Sequence, residues 1–303
     1  MIKHQLAIVI PFYKIEYFEK TLRSISQQTD QRFKVYIGND CSGYQIENLL
    51  SKYLAEIEYS YIEYSENFGK TSLASQWNRL VDHIQEEWFQ ILGDDDTISK
   101  NFVEEFYRAL RDVEIRGINL IRFTYHKINE NEEVLETFDY PWKSIGSQEF
   151  LFNKLSWKYG SSLSENIFRK ELYDKYKFKE FPLAWHSDDY SILELSNYGD
   201  LYNIRTAYVN VRVSELSITG NRHLDEEKLR ASFLFYEQIL FNKRCITNLK
   251  LYHLAISNYL FLCRNRKVAP NYKLIKNILL FGRCKANLSL IKTYLLHFMN
   301  YKK

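Results

Sequence analysis

The sequence predicts an α/β protein: a mixed, mostly parallel sheet flanked by helices, followed by a helical C-terminal region. Two observations predict it. Apolar runs of strand length alternate four times with longer stretches of helical spacing, and from Asp225 the spacing is helical nearly to the end. Such alternation joins parallel strands through helices, and ligands of such sheets bind at the carboxyl ends of the strands.

LAIVIPF (6–12) is the first strand, followed by an amphipathic stretch from Glu16 to Gln28. Before Tyr13 and Lys14 the start offers only about eight apolar residues and no small-residue cleavage site follows, which reads as a strand rather than a signal peptide. FKVYIGN (33–39), IEYSYIEY (57–64) and WFQIL (88–92) are the next strands, with helices over 45–54, 71–86 and 100–112. Further strands are expected at 118–125 and 134–140, short helices at 147–156 and 169–177, and one or two strands over 201–213. Helical spacing then runs from Asp225, broken at VAPN (268–271) and near Gly282. The predicted organisation is one α/β domain over 1–223, with halves 1–112 and 113–223, and a helical region over 224–303.

Composition narrows the class. Of 303 residues 46% are hydrophobic, enough for a full core, and only 4 Pro and 10 Gly argue against long linkers. No apolar run reaches the roughly 18 residues that span a bilayer. Cys41, Cys245, Cys263 and Cys284 lack zinc-like or redox-like spacing, which suits a reducing cytosol and ordinary packing. Charge is uneven. From Asp225 to Lys303 there are 15 Lys and Arg against 4 Asp and Glu, a balance of +11, whereas the first 224 residues carry −8. A basic tail points to anionic lipid or nucleic acid, with solvated helix faces as the bland alternative.

The chemistry is expected where strands end. Pro11 and Tyr13 close the first strand, Asn39, Asp40 and Ser42 the second, Glu66, Asn67 and Gly69 the third, and ILGDDDTI (91–98) the fourth. Adjacent carboxylates raise each other's pKa unless a cation or several donors hold them. In extended chain Asp94 and Asp96 face one way and Asp95 the other, so two carboxylates can share Mg2+ or Mn2+ while the third meets a hydroxyl. One Asp would serve as a helix cap near Ser99; three in a row favour a ligand site.

AIVIPFY, IGNDCS, ENFGK, a helix containing Asn78, and ILGDDD, in that order, resemble the nucleotide-binding half of family 2 glycosyltransferases, whose fold is GT-A. The resemblance runs through the first 110 residues and more weakly to about residue 220. It implies that Pro11 and Tyr13 line the base pocket and Asp40 accepts from the base. Asp95 would meet the ribose, and Asp96 with Asp94 a metal on the diphosphate, in the manner of a DXD motif. Lys70 and Asn78 are further nucleotide candidates. The family more often has Asp where Gly93 stands. In the acceptor half, FPLAWHSDDYSILELSNYG (181–199) resembles the segment in which an acidic pair opens a helix. That pattern makes Asp189 the general base, with Asp188 where Glu is commoner; the plain alternative is an N-terminal cap and first-turn acids.

The resemblance implies an inverting, metal-dependent transferase that uses a nucleotide-sugar, with UDP-sugars favoured, and a glycan or lipid-linked acceptor of a bacterial surface polysaccharide. A sugar nucleotidyltransferase is the enzymatic alternative, though IPFYKIEYF lacks its Gly-rich basic loop; an inactive sugar-binding module is the other. The expected location is the cytoplasm, with peripheral contact at the inner membrane face through the basic tail. That tail serves equally as a dimerisation element or a cover over the acceptor groove. No nucleic-acid partner is expected. His186 and His223 are candidates to assist the metal or a phosphate, with plain surface residues as the favoured alternative, and Trp157 and Trp185 are candidates to stack on a sugar face, with packing as the favoured alternative.

Overall fold

The computed structural model describes residues 4–214, 217–218 and 220–281. Expectations placed on Gly282, Cys284 and the rest of the tail lie outside the described residues, as do Glu215, Leu216 and Thr219 of the polar loop after the last strand.

The first half alternates as its periodicity requires: β1 (Leu6–Phe12), α1 (Phe18–Ser26), β2 (Phe33–Asn39), α2 (Glu47–Tyr53), β3 (Tyr59–Glu63), α3 (Leu73–Val81) and β4 (Trp88–Ile91). Leu6 to Ile10 are wholly buried, as a central parallel strand covered on both faces must be. A two-residue strand, β5 (Thr97–Ile98), and α4 (Phe102–Ile115) follow. The second half contributes β6 (Leu120–Ile128), β7 (Val134–Phe138), β8 (Ser144–Gly146), α5 (Ser147–Leu155), β9 (Asn166–Arg169), α6 (Lys170–Tyr176), α7 (Ser187–Leu195) and β10 (Asp200–Arg212). The C-terminal helices are α8 (Asp225–Phe241), α9 (Leu249–Arg266) and α10 (Tyr272–Phe281).

All ten strands form one sheet in the order β3-β2-β1-β4-β9-β6-β10-β5, with β7 added on β6 and β8 on β10. β1 to β4 pair in parallel, and β9 runs antiparallel to both β4 and β6. The segment over 201–213 is a single strand. Its register against β6 shifts between Ile204 and Tyr208, a bulge that breaks the alternation and makes the sequence look like two strands.

Two buried clusters divide the core. One fills the sheet and its covering helices. The other joins Phe235, Ile239, Ile256 and Tyr259 of the C-terminal helices to Leu151 and Leu155 of α5, Phe181, and Tyr190 and Leu193 of α7. The C-terminal helices therefore complete a core that begins in the acceptor half.

Candidate active site

The switch point of the sheet sets the first group of residues. The chain leaves β1 toward β2 and β3 on one side and returns to β4 on the other, which opens a crevice beyond the carboxyl ends of β1, β2 and β4. Pro11 is half-buried in β1 and Tyr13 is exposed just after it. Asp40, 3% exposed, sits beside them through its amide, which donates to Phe12 O at 2.9 Å. Its carboxylate accepts from the Phe68 and Gly69 amides at 2.9 and 2.7 Å and pairs with Arg79. The Arg79 guanidinium lies over the Tyr64 and Phe68 rings at 3.6 and 4.1 Å. Lys70 is exposed, and its amide donates to Asn67 Oδ1 at 2.7 Å. Asn78 points its amide elsewhere: both ends are taken by the Phe178 backbone, at 3.0 and 2.9 Å.

The acidic triplet is pinned between β4 and β5. Asp94 Oδ2 accepts from the Tyr13 and Lys14 amides at 2.8 and 2.7 Å, which ties the triplet to the end of β1. Asp96, 5% exposed, accepts from Ser164 Oγ at 2.5 Å and the Arg212 amide at 2.9 Å. Asp95 is half-buried, and its carbonyl accepts from Arg212 Nε at 3.1 Å. Burial, then the neighbouring Asp95 charge, pushes Asp94 up to about 7 and Asp96 up to about 8. Burial also raises Asp95, against the pull of Lys14 and Arg212. A Cβ on Gly93 would stand 2.8 Å from Asp96 Oδ2 and 3.1 Å from Asp95 Oδ1. Those two carboxylate oxygens converge on this backbone, so a larger side chain at this position would have to displace them.

The acidic pair occupies the start of α7. Leu183, Ala184 and His186 all have left-handed backbone, with φ of 57°, 52° and 70°, and this contorted approach delivers the helix N-terminus. Asp189 is 3% exposed, pairs with Lys154 of α5 through Oδ1, and accepts from His186 Nδ1 at 2.8 Å through Oδ2. Burial works against its charge, but Lys154 and His186 together hold it well below the usual carboxylate range. Asp188 is half-buried; burial and the Asp189 charge push it up to about 7. His186 is thus a partner of Asp189 rather than a surface residue. Trp185 packs against the C-terminal cluster, but Trp157 is 94% exposed. Its left-handed backbone (φ 60°) just past α5 turns it outward, which the sequence does not signal.

The family model for glycosyl transferase family 2 matches residues 7–177, more than half of the chain and all of the strands that carry the first acidic site. The chain belongs to glycosyl transferase family 2. No curated protein matches the sequence of this glycosyltransferase. Its fold resembles S. aureus TarS 1-349 in complex with UDP-GlcNAc, with a TM-score of 0.62 at 14% identity over 98% of this chain and 91% of that one. A structure of S. aureus TarS gives the same TM-score at 15% identity over 86% of this chain, which spans 43% of that one. The mannosyltransferase PcManGT from Pyrobaculum calidifontis, in complex with GDP-Man and Mn2+, is similar at a TM-score of 0.53 and 11% identity, over 97% and 86%. The mixed sheet flanked by helices is the GT-A fold.

Several residues of this glycosyltransferase escape sequence reasoning. Ser164 holds Asp96, and its neighbour Glu165 pairs with the buried Arg122 at 2.8 Å. Lys154, Arg79, Arg212 and Ser232 likewise act on residues far away in sequence. Each is one polar residue inside an ordinary helix or strand pattern, with no local signal. Among the described residues no group of three or more His, Cys, Asp or Glu is placed to hold a metal ion.

Proposed function

We propose that the protein moves a sugar from a nucleotide-sugar to a hydroxyl of a glycan or lipid-linked acceptor, with inversion at the anomeric carbon. A uridine diphosphate donor is favoured, and a bacterial cell-surface polysaccharide is the product class. The observation that carries this reading is the presence of two acidic stations, the triplet after β4 and the pair opening α7. An inverting displacement needs one station for the leaving diphosphate and another for the acceptor proton.

In this reading Pro11 and Tyr13 line the base pocket, Asp40 accepts from the base and Lys70 lies near the phosphates. Asn78 drops out of the nucleotide set, because its amide is spent on Phe178. The triplet suits a divalent cation chemically: it offers hard oxygen donors, and burial raises their pKa values despite the nearby Lys14 and Arg212. Asp96 is the most enclosed and already accepts two hydrogen bonds. Asp95, and the oxygen of Asp94 not used by the amides, are therefore the better ligands, with Asp96 bracing them. A bound Mn2+ or Mg2+ would supply Lewis-acid stabilisation of the diphosphate. The acceptor oxygen bonds to the anomeric carbon as the bond from that carbon to the phosphate oxygen breaks. The electron pair leaves with the nucleoside diphosphate, and the hydroxyl proton passes to the Asp188–Asp189 pair.

Residues 224–303 are proposed to serve the acceptor side. Gln238 to Phe281 contain eight Lys and Arg and no acid, and expose Leu249, Phe261 and Tyr272. No described helix is long and apolar enough to cross a membrane. Peripheral contact with anionic lipid at the inner face of the cytoplasmic membrane fits that surface.

A thermal-shift series tests the reading. UDP is expected to raise the melting temperature, and more so with Mn2+, since binding to the folded state stabilises it by mass action. No shift with any nucleoside diphosphate, with or without metal, sinks the proposal.

A further inference from the structure

Lys154 and Ser164 each touch one acidic station: Lys154 pairs with Asp189 of α7, and Ser164 Oγ donates to Asp96 of the triplet at 2.5 Å. Between them, residues 156–163 all keep partial or full exposure. Helix α5 ends in this segment with a Schellman closure, in which the Trp157 amide donates to Lys154 O at 2.9 Å and the Lys158 amide to Asn153 O at 3.0 Å. Such a closure needs left-handed backbone at its turning residue, and glycine usually fills it because it has no Cβ to clash. Here the residue is Trp157, at φ 60°. The chain accepts strain at this point and leaves the largest apolar side chain 94% exposed. Neither feature stabilises the fold.

The rest of the loop is fastened. Gly160 O accepts from Tyr140 Oη at 2.9 Å, and a Cβ on Gly160 would collide with the Tyr125 hydroxyl, so the backbone lies directly against it. The Ser162 amide donates to both Glu165 carboxylate oxygens at 2.9 Å. Tyr159 is half-buried, with its ring centroid 5.4 Å from that of Trp142 and 5.7 Å from that of Tyr140. Tyr140 lies near the acid pair: burial raises the pKa of its hydroxyl, and the charges of Glu165 and Asp189 add to it. A run of rings thus starts near the acids and reaches Tyr159, two residues from the exposed indole.

This chemistry points to one ligand class. A pyranose ring offers a face of C–H bonds that seats on the negative face of an aromatic ring, and short hydroxyl side chains suit its edges. LSWKYGSSLS (155–164) carries four serines, one cation and no acid. Anionic lipid recognises clustered cations, which this segment lacks. Resting on the proposed transfer to a glycan, we propose that residues 156–163 form a subsite for the acceptor, in which a pyranose ring of the growing chain stacks on Trp157. Tyr159 and Trp142 continue the aromatic surface toward the acid pair. Because the loop is already fastened, it presents the indole without further ordering of its backbone.

Two measurements on the full chain decide it. Trp157→Gly removes the indole and relieves the left-handed backbone, so it should raise the melting temperature and leave UDP affinity unchanged. A lowered melting temperature means that the indole packs on the protein, and overturns the proposal. The binding probe is a printed array of short pyranose oligosaccharides, read with the labelled chain in the presence of UDP. Wild type should bind at least one of them. Calorimetry with that oligosaccharide should show about tenfold weaker binding for Trp157→Gly and a loss of less than about threefold for Trp157→Tyr. An array left dark by wild type, or equal affinity in wild type and Trp157→Gly, removes the subsite. So does a Trp157→Gly chain that keeps its sugar affinity but loses self-association in sedimentation, or loses binding to phosphatidylglycerol vesicles. The indole then serves a second copy of the chain or a membrane. A wild-type chain that binds a glycan but no nucleoside diphosphate overturns the transfer reaction and leaves the sugar subsite standing.

Discussion

Arg122 and Glu165 are both wholly buried, 2.8 Å apart, and surrounded by rings: Tyr140 accepts from Arg122 Nη2 at 2.6 Å, and the guanidinium lies 3.7 Å over Phe150. Two charges out of water are expensive unless each satisfies the other, so removal of one leaves the other stranded. Glu165→Gln should cost about 3–5 kcal/mol of stability in urea unfolding, among the largest of any single polar change. Asn78→Ala should cost about 1–3 kcal/mol through its two lost bonds to Phe178, with donor KM unchanged. A donor KM that rises instead would return Asn78 to the nucleotide site. Protonation divides the α7 pair. Asp189 is held below its ordinary range, so the stability it provides is present above its unfolded pKa of about 4 and lost as pH falls further. Asp188 is raised to about 7, so its contribution is present below about 4 and lost as pH rises through about 7. Asp188→Asn, which mimics the protonated acid, should therefore stabilise the protein relative to wild type more at pH 8 than at pH 5, as read by melting temperature.

At the scale of elements, the turn between β3 and α3 exists to hold Asp40. Phe68 and Gly69 aim consecutive amides at its two oxygens, and a Cβ on Gly69 would come within 2.6 Å of Asp40 Oδ2. Gly69→Ala should displace that carboxylate and weaken UDP binding about tenfold by calorimetry, the worth of one charged hydrogen bond. Elements of this kind were unevenly legible. β1 begins and ends where its apolar run does, because a strand buried on both faces has no polar residue to blur its limits, and β2 keeps its expected bounds although Lys34 and Asn39 are polar. The acidic triplet stood out because three like charges in a row demand explanation. β5 and β8 left no trace, since two or three residues carry no periodicity. β5 nonetheless fixes the far side of the triplet by pairing Ile98 with Val209. The partners of the acids, Ser164 for Asp96 and Lys154 for Asp189, sit 68 and 35 residues away in unremarkable patterns, so only the fold reveals them.

Across the whole molecule, the helical region that begins at Asp225 shares a buried core with the acceptor half. Leu151 and Leu155 of α5, Phe181, and Tyr190 and Leu193 of α7 find their apolar partners in Phe235, Ile239, Ile256 and Tyr259 of α8 and α9. Periodicity shows that a helix has an apolar face without showing what covers it, which is why the boundary in sequence is not a boundary in the core. The consequence can be measured by ending the chain at His223. An independent domain would keep its cooperative unfolding and its UDP binding. Here the cut should uncover an apolar patch of several large side chains, each worth about 1.5–3 kcal/mol when buried, and free His186 from Ser232 and Phe235. The shortened chain is therefore expected to aggregate, or to melt well below the full chain with a broadened transition. Hydrogen exchange should rise first in α5 and α7 while β1 to β4 stay protected, because the nucleotide half keeps its own core. Unchanged protection in α7 after the cut would mean that the C-terminal helices do not hold the acid pair.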